Sequence, residues 1–476
     1  MKKIMTHFLL MCLGLGCAAT TSSAQMYTLT DLVQANDARC PAPNSGVYYP
    51  TGINGLGEVV GTCKFGHFPY YAFRTGPDQP INPATDDLGA LSSGAYSEAN
   101  GINLFGQAVG SSPNGAAWHA FRTAPNGRIN SSTDDLGTLG GTWSWSYGIN
   151  ILGQAVGLAY TGGDVAYHAF RTLPGRPINS ATDDVGTLGG TYSQATGIND
   201  LGQVIGYANL AGDSVYHAFR TGPDRSINPA TDDLGTFGGT WSRALGINLL
   251  GVTVGWANLP GDASYHAFRA APNRPINPAT DDLGTFGGST SQATGINVFG
   301  EVVGWAALSG DASSHAFLYS GNAMRDLNNL IPPGSGCELN IASSITDAGQ
   351  IAGNAICNGQ SHAVLLTPIY KALPQSPLSG DGISVLSTPQ PIVPLRFTLT
   401  RNHAPTCTLP PATITIAKAA GDSLVPVDLS DGDFRVDSTG CQYVYKLAAA
   451  SLGDGTYLLE INIDGIRVGQ AAFRIQ

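Results

Sequence analysis

Gly-Ile-Asn recurs with its glycine at residues 52, 101, 148, 197, 246 and 295, at successive spacings of 49, 47, 49, 49 and 49. Ser344-Ile345-Thr346 follows 49 residues later as a degenerate seventh copy. A fixed period of this length marks one supersecondary unit stacked on its own copies, not a row of independent domains.

Each unit reads as four short strands. The first ends at Gly-Ile-Asn. A tight turn such as Asn199-Asp200-Leu201-Gly202 then leads into an apolar second strand, Gln203-Val204-Ile205-Gly206. The third opens on a histidine, His119, His168, His217 or His266 in His-Ala-Phe-Arg, with variants at His315 and His362 and Tyr71 in the first unit. The fourth carries Asp-Leu or Asp-Val, usually followed by a Gly-Thr-Leu/Phe-Gly-Gly turn. Helical periodicity of useful length is missing. The 62 glycines and 29 prolines stay below the low-complexity range of roughly 25–30% and suit a turn-rich all-β chain.

The ends of the array carry a second constraint. Asp87, Asp135, Asp184, Asp233, Asp282 and Asp326 supply six fourth strands for seven units. The seventh, Thr30-Asp31-Leu32, precedes the first Gly-Ile-Asn, while the last unit stops after His362-Ala363-Val364-Leu365-Leu366. This predicts an N-terminal strand paired into the last unit, so that residues 26–368 form a seven-bladed β-propeller with only short protected edges. Prolines at 374, 377, 389 and 391 predict a linker over 369–391. Alternating runs such as Leu395-Arg396-Phe397-Thr398-Leu399 predict a small immunoglobulin-like β-sandwich over 392–476.

Lys2 and Lys3, an apolar run from Phe8 to Ala19 and the small residues Ser22-Ser23-Ala24 read as an export signal over 1–24, with Cys17 leaving lipidation open. Six cysteines then remain, in three local pairs expected as disulfides: Cys40–Cys63, Cys337–Cys357 and Cys407–Cys441. A net charge of −11 with 12% charged residues and no basic tract argues against nucleic acid. No stretch after the leader reaches the roughly 18 apolar residues of a membrane span. No cofactor is implied, no Cys-x-x-Cys metal spacing occurs, and the oligomeric state is open.

Taken together, His-Ala-Phe-Arg, Asp-Asp-Leu-Gly-Thr-Leu-Gly-Gly and Gly-Ile-Asn-x-x-Gly-Gln-x-Val-Gly resemble the bacterial extracellular HAF repeat over roughly residues 45–368. Pro394-Leu395-Arg396-Phe397, Tyr443-Val444-Tyr445 and Gly455-Thr456-Tyr457 are similar to the PxKF-type immunoglobulin-like module, with Arg396 where that pattern has Lys. The resemblance implies an exported surface or extracellular protein and brings no catalytic residue, cofactor or ligand.

Equivalent histidines on neighbouring units lie too far apart for a shared metal, because a third strand sits roughly 10 Å outside the innermost one. They are expected to form within-unit networks with Asp31, Asp87, Asp135, Asp184, Asp233, Asp282 and Asp326. Adjacent aspartates such as Asp134-Asp135 point to opposite faces and cannot act as a two-carboxylate pair; strand caps, network partners or calcium ligands remain for them. Asp164, Asp213, Asp262 and Asp311 read as turn residues. Tyr96, Trp143, Tyr192 and Trp241 stand five residues before Gly-Ile-Asn; Trp145 joins them, and Tyr207, Trp256 and Trp305 follow the second strands. These rings are candidates for a glycan- or protein-binding rim, or for packing between adjacent units.

No nucleophile elbow, zincin helix motif, P-loop or dinucleotide fingerprint occurs. The leading expectation is an exported, non-enzymatic binding or surface-interaction protein. The alternatives are a carbohydrate-active hydrolase or lyase with its site at one mouth of the propeller, and a purely structural repeat.

Overall fold

The computed structural model describes residues 25–33, 46–65, 70–94, 96–378, 383–386, 392–420, 423–427, 433–449 and 452–475. The expected leader over 1–24 and Cys40 of the Cys40–Cys63 pair lie outside the described residues. The described chain is all-β, with predominantly antiparallel sheets and two short 3-10 turns, Gly162–Asp164 and Leu327–Asn329.

The third repeat shows how one unit is built. Its strands Gly140–Ile149, Ala155–Thr161, Tyr167–Arg171 and Asp184–Gly186 pair in sequence order. Residues 155–159 of the second strand are all buried, alternate positions included. A strand buried on both faces must be covered on both, so this sheet lies between neighbours. The glycine of the Val-Gly pair in this strand marks a register shift between Val156 and Gly157. A Cβ at Gly157 would fall 1.9 Å from the Trp145 carbonyl, and Gly110, Gly206, Gly255 and Gly304 face equivalent carbonyls at 1.8–2.0 Å. Only glycine fits this bulge, which explains the recurrence.

Asparagine links each unit to the next. Asn54 Nδ2 donates to the Asn103 carbonyl at 3.0 Å, and Asn103, Asn150, Asn199, Asn248 and Asn297 each reach the equivalent carbonyl of the following unit, the last being that of Thr346. The first and seventh units also touch. Strand Tyr27–Asp31 pairs antiparallel with Gln360–Pro368, and Leu32 N donates to the Ala363 carbonyl at 2.9 Å. Leu32, fully buried, packs with Val59, Phe73 and Ile81 of the first unit and with Ala352, Ala363 and Leu365 of the last. Gln350 Nε2 donates to Asp78 at 2.6 Å across the same junction.

Two five-stranded sheets make up the C-terminal unit. Residues 369–391, expected as a linker, instead contribute strands Tyr370–Gln375 and Ile383–Leu386 to them. Both strands lie at sheet edges, where a proline such as Pro374 does not interrupt a ladder on its free side. Alternation fills the core: Leu395, Phe397 and Leu399 are buried on one face of Val393–Arg401, against Tyr443, Tyr457, Leu459 and Phe473. The disulfides Cys337–Cys357 and Cys407–Cys441 staple the seventh unit and this C-terminal unit respectively. Among the described residues no helix is long and apolar enough to cross a membrane.

Candidate functional site

The structure brings every histidine at the repeated position onto an aspartate. Nδ1 of His119, His168, His217, His266 and His315 lies 2.6–3.0 Å from the carboxylate of Asp135, Asp184, Asp233, Asp282 and Asp326. His362 Nδ1 meets Asp31 at 2.8 Å, a pairing that spans 331 residues of sequence. Asp87 faces Tyr71 in place of a histidine across the unit and meets Arg128 Nη2 at 3.4 Å. The hydrogen bond that His119 donates to Asp135 raises the His119 pKa against the opposing effect of burial, and Asp184 does the same for His168. Burial would push Asp135, Asp184 and Asp282 up, but their hydrogen bonds outweigh it and hold them below the usual carboxylate range. Each carboxylate also accepts from a backbone N–H two residues on, as Asp135 does from Gly137 at 2.7 Å. The pairs fix the register of third and fourth strands, and six repetitions consume these polar groups in one structural task.

The preceding aspartate does separate work. Asp134, Asp183, Asp232 and Asp281 are 2–5% exposed and accept from the backbone N–H four residues upstream, 2.8 Å for Asn130 to Asp134. Asp232 and Asp281 are also ion-paired with Arg225 and Arg274. Asp164, Asp213, Asp262 and Asp311 adopt left-handed turns with φ of 57–60° and accept from Thr142, Thr191, Thr240 and Ser289 of the first strand.

Sequence reasoning assigned no role to the arginine of His-Ala-Phe-Arg. Arg122 donates to the carbonyls of Gly153 (2.9 Å) and Arg176 (3.1 Å), both in the next unit. Arg74, Arg171 and Arg220 reach the equivalent carbonyls of their own successors. Burial lowers Arg220 to about 10. The signal was an arginine repeated at one strand end; its partners are carbonyls, which carry no sequence signature.

The aromatic candidates are half-buried and meet through Tyr160, Tyr167, Tyr216 and Tyr265, which sequence reasoning did not single out. Trp143 and Trp145 lie 5.3 and 6.4 Å from Tyr160, which lies 5.7 Å from Tyr167. Tyr167 crosses to Tyr192 of the fourth unit at 4.9 Å, and Tyr216 crosses to Trp241 of the fifth at 6.3 Å. Tyr207 contacts Tyr216 at 5.3 Å; Trp256 contacts Tyr265 at 5.0 Å, which reaches Trp305 of the sixth unit at 6.3 Å. The Arg243 guanidinium lies 4.3 Å from the Tyr207 ring centroid, 5.1 Å from Tyr216 and 5.9 Å from Trp256. Tyr96 is half-buried at the matching place in the second unit, its carbonyl accepting from Ser112. The rings therefore form three groups that bridge units three and four, four and five, and five and six, with Arg243 set over rings of the last two groups.

The Gly-Ile pairs of six units and Ser344-Ile345 of the seventh line one small cavity of about 200 Å³, together with Thr51 and Asn100. A Cβ on Gly148 would lie 3.1 Å from the Gly197 Cα. Among the described residues no group of three His, Cys, Asp or Glu side chains is arranged to hold a metal ion. No protein-family model matches this chain, and no curated protein matches it.

Proposed function

We propose that the seven sheets form a closed seven-bladed β-propeller followed by an immunoglobulin-like sandwich. In this reading the protein is an exported, non-enzymatic binding module whose aromatic rings take a glycan. Closure is supported by the shared Gly-Ile cavity, by the Tyr27–Asp31 strand paired into the seventh unit, and by Leu32 packed between first and last units. Export is supported by the leader-like sequence over 1–24 and by two disulfides.

The observation that carries the binding role is the three groups of touching rings between Trp143 and Trp305, with Arg243 set over three of the rings. Half-covered, rigidly held rings offer flat apolar faces for sugar C–H groups at little entropic cost. The recurring histidines and aspartates, and the arginines other than Arg269, are already occupied in structural bonds, which leaves the aromatic positions, present in some units and absent from others, to distinguish one unit from another.

A glycan array with the purified chain tests this, alongside the double variant Trp143→Ala/Trp241→Ala. Retention of a glycan class by the native chain, lost in the variant with its cooperative unfolding preserved, is the expected result. Failure to retain any glycan, or retention unchanged by the double substitution, refutes the assignment. Release of product from a retained polysaccharide would transfer the protein to the carbohydrate-active enzymes.

A further inference from the structure

The sixth unit departs from the others at one place. Its His315 and Asp326 are 11 residues apart, against 16 for the four preceding pairs, because strands Ser314–Ser320 and Ala323–Asp326 are joined by a tight Gly321-Asn322 turn. The excised stretch is the one that carries Asn126, Arg176, Arg225 and Arg274 in units two to five, whose carbonyls receive the preceding unit's arginine. Arg269, near the end of the third strand of the fifth unit, thereby loses one of the two carbonyls that its equivalents reach. It makes no side-chain hydrogen bond among the described residues, and its Nε is buried without a partner.

Arg269 lines a cavity of about 460 Å³ between the sixth unit and the C-terminal sandwich. Thr413, Thr415, Glu460 and Asn462 of the sandwich form the opposite wall, and the Tyr319 ring borders the space. The other charges at the cavity are largely committed: Glu301 accepts from Arg467 at 2.7 Å and from Asn297 at 2.7 Å, and Arg467 lies 3.8 Å over the Phe299 ring. Glu460 is bonded only loosely, by the Thr415 hydroxyl at 3.2 Å. Burial raises its pKa, which lessens the repulsion it offers a bound carboxylate.

We propose that this cavity binds a hydroxylated carboxylate, the uronic acid unit of an acidic polysaccharide, with Arg269 clasping the carboxylate. A guanidinium fork with no side-chain hydrogen bond among the described residues is matched by two carboxylate oxygens. Glu460, Asn462 and the threonine hydroxyls supply donors and acceptors for the sugar hydroxyls, and the volume suits a mono- or disaccharide. The inference rests on this cavity and not on the aromatic rings, so either reading can fail alone.

The test is titration of the full chain with methyl β-D-glucuronide, methyl β-D-glucoside and acetate, followed by calorimetry and ligand-observed NMR. Glucuronide should bind, with glucoside and acetate each weaker by about tenfold or more. Arg269→Met should weaken glucuronide by a similar factor, and Arg269→Lys should recover part of it. Because Arg269 has no protein partner, Arg269→Met should leave Tm within about 1 °C. No glucuronide binding, equal binding of glucoside or acetate, or an unaffected Arg269→Met variant would overturn the assignment.

Discussion

Leu32 tests whether the array closes. It occupies the position that Leu136 holds between the second and third units, where Leu136 packs with Val109, Ala120, Ala155 and Phe170. Leu32 is 0% exposed and Leu136 2%. Truncation to alanine removes three carbons, about 2.4 kcal/mol of transfer free energy at about 0.8 kcal/mol per methylene. The cavity left behind brings the total to about 3–5 kcal/mol. In a closed array the two junctions are equivalent, so Leu32→Ala and Leu136→Ala should cost the same within about 1 kcal/mol. In an open array Leu32 lies on a frayed terminal strand whose local opening already forfeits its packing, and its truncation would register weakly. Urea unfolding followed by tryptophan fluorescence reads this directly, because all six tryptophans lie between residues 118 and 305. A cost for Leu32→Ala below about half that of Leu136→Ala would refute closure.

Three further outcomes follow from the same geometry. The raised histidines stabilise the fold below pH 6.5, and that contribution is lost as pH rises through their folded-state values; the lowered aspartates stabilise above pH 3.8 and lose this as pH falls. Tm should therefore be highest between these limits, and His119→Gln with His168→Gln should flatten the alkaline decline measured by scanning fluorimetry. Arg122→Met should cost about 1–3 kcal/mol in urea, since it strands the buried Gly153 carbonyl of the next unit, unlike Arg269→Met. Reduction of Cys337–Cys357, which encloses about 20 residues, should lower stability by about 3 kcal/mol, and Cys337→Ala/Cys357→Ala should reproduce the loss without reductant.

What could be read from the residues was whatever repeats within a unit. Gly-Ile-Asn, Val-Gly and His-Ala-Phe-Arg mark strands at a 49-residue period, and the offset between His119 and Asp135 implied a bond between third and fourth strands. The displaced Asp31 pointed to a strand shared between the two ends, and strand Tyr27–Asp31 does pair with Gln360–Pro368. Contacts between units were legible only in part: packing between units was one of the two readings of the aromatic rings, and three ring contacts do cross between units. The arginine staples end on carbonyls, and the aromatic contacts depend on which sheet face meets which neighbour. Residues 369–391 misled because proline is a poor guide at an edge, where half of the backbone donors face away from the ladder. The Arg269 cavity left only one trace in the sequence, the shortened interval between His315 and Asp326.

Asp31 and His362 also impose an order on events. Strand Tyr27–Asp31 belongs to the beginning of the chain, yet its partner Gln360–Pro368 emerges more than 300 residues later. Synthesis or translocation from the N-terminus therefore delivers the fastening long before its counterpart, and the loop to be closed is among the largest this molecule can form. Until then the seventh unit does not exist, and an apolar segment containing Met26, Tyr27 and Leu32 must wait unprotected. The strand made first is used last, so premature cleavage or aggregation of these few residues would leave an otherwise folded array without its latch.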